Sequence, residues 1–261
     1  MLILYRGGIN AKLLIPLKLT VSLTLIISSN NFKSDDMIKG LIFDLDGTII
    51  DITNYIPIFT ELQIKALHRC NGNKGLKLGI KECYEPLRLP SEESNRLLQK
   101  IWNVDPKKYW KEVFQLDMEA RRMAIKDGTL KCFEDVSILR ELKNNFKIIL
   151  FSNTPKEIAE LELNYFKISD LFPTKVYGFY KCEISKPETK GITMCLKELG
   201  LLAKETVMIG DSDVDISMGK KIGMKTIRID RGHYSYGGEK PDLVIRTLNE
   251  LKGVLNEMQL R

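Results

Sequence analysis

The chain has 261 residues, of which 44% are hydrophobic and 28% charged, enough for one large globular domain or for a core carrying an inserted subdomain. Its 40 basic and 34 acidic residues leave a net charge of +6 that is spread along the chain, which argues against a nucleic-acid-binding protein and is compatible with a small anionic substrate. Five cysteines without a CxxC pair and only two histidines exclude a disulfide frame, a zinc site and a histidine-based metal centre, and they fit reduced thiols in a cytoplasm.

Residues 1–36 differ from the rest. Arg6 and Lys12 precede an apolar run from Leu13 to Ile27 that Pro16 and Lys18 interrupt. The pattern is that of a weak targeting segment without an Ala-x-Ala cleavage site, and its uncharged stretch is too short for a membrane span. The alternative is an extension that the fold does not need, with Met37 as a start, since the first core strand begins at Ile38.

The stretch Leu41-Ile42-Phe43-Asp44-Leu45-Asp46-Gly47-Thr48 reads as a buried strand running into a turn. Two carboxylates at the end of a buried strand must be solvated, paired or bound to a cation, and a hard divalent metal such as Mg²⁺ suits them. A turn capped locally by aspartate is the plainer alternative.

Asp51 is placed to cap the next helix, with Pro57 near its first turn. Helices are expected over 58–70, 91–102 and 106–125, with a Gly- and Lys-rich loop at 71–75. The next strand comes only at 146–151. That interval far exceeds a simple crossover of about thirty residues, so an inserted helical subdomain is expected over 53–127. Trp102, Tyr109, Trp110 and Phe114 read as its small core.

After a helix over 134–144, strand 146–151 ends in Ser152-Asn153-Thr154-Pro155, where a hydroxyl and an amide suit an oxyanion or serve as N-caps. A helix over 156–165 and a strand over 175–179 follow. Lys186 stands just before a helix over 188–199, a position the macrodipole disfavours for a cation, so a compensating anion is expected there unless the lysine is simply exposed. Strand 206–209 runs into Gly210-Asp211-Ser212-Asp213-Val214-Asp215 and a helix to about 222. A strand over 225–229 and a short one over 242–245 complete the pattern. Regular βα alternation implies a parallel sheet covered on both faces, with ligands outside the carboxyl ends of its strands. All four polar clusters fall there.

Taken in order, Asp44-x-Asp46-Gly47-Thr48, Ser152-Asn153, Lys186-Pro187 and Gly210-Asp211-x-x-x-Asp215 resemble the four motifs of the haloacid dehalogenase superfamily, over about residues 38–245. The subgroup looks closest to phosphoglycolate phosphatase-like enzymes with a helical cap. The resemblance implies a Rossmann-like three-layer α/β/α core made of residues 37–52 and 128–261, with the cap at 53–127. It also implies a Mg²⁺-dependent phosphatase acting on a small phosphorylated metabolite through an aspartyl-phosphate. Asp44 would be the nucleophile and Asp46 the general acid and base. Ser152, Lys186 and the backbone near Leu45 and Asn153 would hold the phosphoryl oxygens. Asp44, Asp211, Asp215 and the backbone carbonyl of Asp46 would hold the metal, with Asp213 a rival to Asp215. The presence of Asp46 argues against dehalogenation. A phosphomutase of the same superfamily and a non-enzymatic binding protein remain the alternatives. Neither a nucleic-acid nor a membrane partner is expected. Lys74, Lys77 and Arg88 are candidate cap contacts to the substrate, with plain surface placement the alternative favoured for each.

Overall fold

The computed structural model describes residues 37–73, 75–178, 184–232 and 238–260. The expectations for residues 1–36 and for Lys74 lie outside them. Six parallel strands form one sheet in the order β5-β4-β1-β6-β7-β8: β1 (Gly40–Phe43), β4 (Lys147–Ser152), β5 (Thr174–Tyr177), β6 (Thr206–Gly210), β7 (Lys225–Ile229) and β8 (Leu243–Ile245). β1 lies centrally, between β4 and β6, and the chain builds outward first on one side and then on the other. The strand order therefore switches beside the carboxyl end of β1, where parallel sheets open a crevice.

β1, β4 and β6 are nearly continuous apolar runs because both sheet faces are covered. Alternation sorts their side chains into two layers. Leu41, Phe43, Ile148, Leu150, Val207 and Ile209 join the cluster that includes Ala159 and Leu163 of α6 (Lys156–Tyr165) and Leu251 and Leu255 of α9 (Leu251–Leu260). Ile42, Ile149, Phe151 and Met208 face Ile192 and Leu196 of α7 (Lys190–Leu199) and Met218 of α8 (Asp213–Lys221).

After β1 the described residues form four successive helices before the chain returns towards β4: α1 (Ile56–Arg69), α2 (Ile80–Arg88), α3 (Ser91–Lys100) and α4 (Pro106–Asp127). Tyr109, Trp102 and Trp110 are buried among them, with the Trp102 and Tyr109 rings edge to face at 5.5 Å, while Phe114 is only partly buried. Asp105 caps α4 by accepting from Lys108 N, and Gly128 ends it in a left-handed conformation.

Several local expectations change. Asp51 does not cap α1. It closes the two-residue strand β2 (Ile50–Asp51), which pairs antiparallel with β3 (Lys131–Cys132), and its carboxylate accepts from Thr53 N and Oγ1. That ribbon ties the chain's departure from the sheet to its return. α2 was not expected, because Pro86 lies inside it. The segment expected as helix 134–144 is a 3-10 turn over Glu134–Ile138 followed by the single turn α5 (Leu139–Leu142). The four described cysteines are unpaired. Among the described residues no helix is long and apolar enough to cross a membrane.

Candidate active site

The site lies at the carboxyl ends of β1, β4 and β6. Asp44 follows the last residue of β1, and its N–H donates to Ile209 O of β6. The chain then turns at once, with Ile49 N and Ile50 N returning to Leu45 O and Gly47 N to Ile50 O. Gly47 has φ +77°, and a side chain there would collide with the carboxylate of Asp211. The turn can pass over the second acid only as glycine.

Asp44, Asp211 and Asp215 each place a carboxylate oxygen within 4.8 Å of the others, and all three are buried. Lys186, 1% exposed, supplies the facing cation: Nζ is 2.6 Å from Asp44 Oδ1 and 2.6 Å from Asp215 Oδ1. The anion expected to compensate Lys186 is thus supplied by the chain's own carboxylates. The lysine is neither exposed nor at a helix start, since α7 begins at Lys190. Asn153 fixes the loop that carries it, with Nδ2 donating to Lys186 O at 2.9 Å and Oδ1 accepting from Lys186 N at 2.7 Å. The Asn153 side chain is therefore engaged with backbone through Oδ1 and one of its two Nδ2 hydrogens. Ser152 Oγ accepts from Thr154 N at 3.0 Å and keeps its own proton for another acceptor.

Three buried carboxylates against one ammonium are under-compensated. Burial and then the Asp215 charge push Asp44 up to about 7, even though Lys186 opposes them. Burial and then Asp44 and Asp215 raise Asp211 well above the carboxylate range. Asp211 Oδ2 is buried and has no hydrogen-bond partner among the described residues. An orphaned carboxylate oxygen within an all-oxygen donor set fits a hard divalent cation.

Asp46 and Asp213 stand apart from this trio. The Asp46 carboxylate turns to Arg121 of α4, accepting from Nη1 at 2.9 Å and Nη2 at 2.7 Å, and from Thr154 Oγ1 at 2.8 Å. Burial works to raise Asp46, but the guanidinium outweighs it and holds the group below the ordinary range. Asp213 is ion-paired with Arg228 at 2.7 Å and with Arg88 of α2, so its charge is already met.

One pocket opens over these groups. Its floor includes Asp44, Asp46, Ser152, Lys186 and Asp211, and its opposite wall carries Tyr55, Phe59, Tyr84, Leu87 and Arg88 from α1, α2 and the turn before α1. Arg88 is among the residues that line the pocket although its side chain is half exposed, whereas Lys77 is an exposed residue outside the lining. Sequence reasoning missed Arg121, Thr154 and Tyr84. The one available signal was the pair Asp117 and Arg121, which interrupts the apolar stripe Tyr109, Val113, Leu116, Ala120 and Ala124 of α4.

The molecule is thus a doubly covered parallel α/β sheet with acids at the ends of two neighbouring strands and a buried lysine facing them. Residues 41–229 match the family model for haloacid dehalogenase-like hydrolases, and the chain belongs to that family. It is 26% identical over 219 residues to a phosphoglycolate phosphatase of Aquifex aeolicus, a match covering 82% of this chain and 94% of that one. It is 27% identical over 226 residues to the pyrophosphatase PpaX of Halalkalibacterium halodurans, covering 84% and 97%. The solved structure of a predicted phosphatase from Clostridium acetobutylicum shares the fold with a TM-score of 0.63 at 18% identity, covering 85% of this chain and 99% of that one.

Proposed function

We propose that the protein is a Mg²⁺-dependent phosphatase that hydrolyses a small phosphorylated metabolite through an aspartyl-phosphate. The observation that carries this reading is Lys186 Nζ held at 2.6 Å from both Asp44 and Asp215 on the pocket floor, with Asp211 alongside. The phosphatase names of the relatives from Aquifex and Halalkalibacterium support it.

Asp44 Oδ1 is engaged by Leu45 N at 2.7 Å and by Lys186. That leaves Oδ2 to attack phosphorus, forming the new O–P bond as the bond to the leaving oxygen breaks. Asp46, ionised while paired with Arg121, takes up a proton from solvent as it turns from that pair to the substrate, and gives this proton to the leaving oxygen. It then takes one from the water whose attack on phosphorus releases Asp44 and inorganic phosphate. Lys186, the Ser152 hydroxyl and the backbone N–H groups near Leu45 and Asn153 hold the phosphoryl oxygens, so that developing charge meets fixed donors. Asp44, Asp211, Asp215 and the Asp46 carbonyl would hold Mg²⁺, which when bound supplies the positive charge that keeps Asp44 ionised and offsets its repulsion of the phosphoryl group. Residues 53–127 act as a cap that excludes water and faces the leaving group with Tyr55, Phe59, Tyr84, Leu87 and Arg88. The unpaired cysteines suit a cytoplasmic enzyme.

The test is release of inorganic phosphate from a nitrophenyl phosphate, with a panel of phosphorylated metabolites to follow. Excess chelator should abolish turnover and Mg²⁺ restore it. Full activity in chelator, or binding of phosphate esters without their hydrolysis, would overturn the proposal.

A further inference from the structure

Arg121 carries more counter-charge than a buried arginine needs. Its side chain is 6% exposed, yet three carboxylates surround it. Nε donates to Asp117 Oδ1 at 3.2 Å, and Nη1 donates to Glu162 Oε1 at 2.6 Å and to Asp46 Oδ1 at 2.9 Å. Nη2 donates to Asp46 Oδ2 at 2.7 Å. The guanidinium also lies 5.0 Å from the centre of the Tyr55 ring, whose hydroxyl donates to Asp117 Oδ1 at 2.6 Å.

The three acids are not equivalent. The Asp117 and Glu162 side chains are 1% and 0% exposed, whereas that of Asp46 is 21% exposed and lines the pocket. Asp117 alone matches the arginine's charge and Glu162 adds a further buried acceptor, so its burial does not require Asp46. Asp117 is fixed by Tyr55, and Glu162 belongs to α6, against the sheet. The guanidinium is thereby immobilised from two sides by groups that take no part in the proposed chemistry. It presents a rigid two-pronged fork to the one carboxylate that faces the substrate. Thr154 Oγ1 adds a third donor to that carboxylate at 2.8 Å. Bidentate pairing fixes the plane as well as the place of a carboxylate.

We propose that Arg121 is the positioning residue for Asp46: a fixed post, carried by α4 and braced by Asp117 and Glu162, that holds the Asp46 carboxylate of the resting enzyme at the edge of the pocket, from which it turns to the leaving oxygen. The inference rests on the acid–base reading of Asp46. It assigns α4 a share in the proton-transfer steps and none in the attack by Asp44. When substrate arrives and Asp46 turns towards it, Arg121 keeps two partners and stays in place, so the carboxylate has one post to leave and return to.

The experiment compares a nitrophenyl phosphate, whose leaving group needs little protonation, with an alkyl phosphate, whose leaving group needs it fully. Rates and acid-trapped phosphoenzyme are followed in the wild type, Asp46→Asn, Arg121→Met, Arg121→Lys and the double variant Asp46→Asn/Arg121→Met. Asp46→Asn should lower kcat on the alkyl ester far more than phosphoenzyme formation from the aryl ester. Arg121→Met should reproduce that selectivity, with a kcat loss of on the order of 10²-fold on the alkyl ester, as expected for a misplaced catalytic group, and KM nearly unchanged. The double variant should be no slower than Asp46→Asn, because both changes remove one function. Should Arg121→Met fail to fold with Asp117 and Glu162 unpaired, Arg121→Lys retains the cation but not the fork, and it should show the same selectivity at smaller size. Equal losses on both esters, a change confined to KM, or losses that multiply in the double variant would each overturn the positioning role. A lack of leaving-group selectivity in Asp46→Asn itself would overturn the acid–base reading and the inference with it.

Discussion

Two buried clusters flank the pocket floor, and each sets three carboxylates around one cation. The Lys186 cluster gathers Asp44, Asp211 and Asp215 from the ends of β1 and β6 and the start of α8. The Arg121 cluster gathers Asp46, Asp117 and Glu162 from the turn after β1, from α4 and from α6. They resolve the same charge surplus differently. A lysine is a point charge; it reaches Asp44 and Asp215, and one Asp211 oxygen is left without a hydrogen-bond partner among the described residues. An arginine is a fork, and it serves all three of its acids at once. Its surplus is relieved on Glu162, which burial pushes up to about 8 against the pull of Arg121. Each cluster keeps one buried carboxylate oxygen without a hydrogen-bond partner among the described residues, Asp211 Oδ2 and Glu162 Oε2; the first lies in an all-oxygen set of three acids that a divalent cation completes, whereas the second belongs to an acid whose protonated form burial favours. A third cluster is balanced outright: Asp135 accepts from both Nη atoms of Arg231, at 2.8 and 2.9 Å, from Thr247 Oγ1 and from Leu248 N.

The largest effect expected from breaking the lysine cluster is on chemistry. Asp44→Asn removes the nucleophile and a metal ligand together, and turnover should fall by roughly 10⁴-fold or more with no phosphoenzyme trapped. The same substitution removes one of three crowded buried charges. Measured without divalent metal, its melting temperature should therefore equal or exceed that of the wild type. A variant that kept near-normal turnover would refute the covalent route.

Asp211→Asn sharpens the contrast at a smaller scale. The orphaned Oδ2 is the oxygen with most to gain from a cation, so its loss should raise the Mg²⁺ concentration for half-maximal activity by about 100-fold or more, with partial recovery at high metal. An unchanged Mg²⁺ dependence would show that the ion sits elsewhere.

The two clusters were unequally legible in the sequence. The groups of the lysine cluster each follow directly on a strand or sit in a short punctuated motif: Asp44 after Leu41-Ile42-Phe43, Asp211 and Asp215 after Thr206–Gly210, Lys186 before Pro187. Strand ends are places where local pattern and tertiary location coincide. The arginine cluster has no such signature. Arg121, Thr154 and Glu162 come from three separate segments, and only the fold makes them neighbours. The pair Asp117 and Arg121 has the spacing of an ordinary i,i+4 surface pair, and only its place within the apolar stripe of α4 sets it apart. For the same reason α2 was hidden by Pro86, which a helix tolerates near its end only when packing holds it. β2 and β3, at two residues each, are too short to carry any period. What was lost lay in long-range pairing.

Breaking the balanced cluster should have the smallest effect, and one on stability opposite in sign to that of Asp44→Asn. Asp135 is drawn below the ordinary carboxylate range: burial would raise it, but the hydrogen bonds from Arg231, Thr247 and Leu248 prevail. Arg231 also stacks on Phe133, 3.8 Å from the ring centre, and donates to Thr48 O, so the pair links the 3-10 turn before α5, the segment leading into α9 and the turn that carries Asp44 and Asp46. Asp135→Asn leaves Arg231 without its counter-ion and should cost about 2 kcal/mol, lowering the melting temperature by roughly 4–8 °C at pH 7. For an acid whose folded pKa is depressed, the stabilisation is present above the unfolded value of about 3.9 and is lost as pH falls through the folded value. The difference between wild type and variant should therefore be constant near neutrality and shrink only below about pH 4. Addition of Mg²⁺ should leave it untouched, because no acid of the lysine cluster is involved. A difference that grew on acidification, or that vanished with Mg²⁺, would mean that Asp135 belongs to the same electrostatic unit as the lysine cluster, and the separation of the clusters would fail.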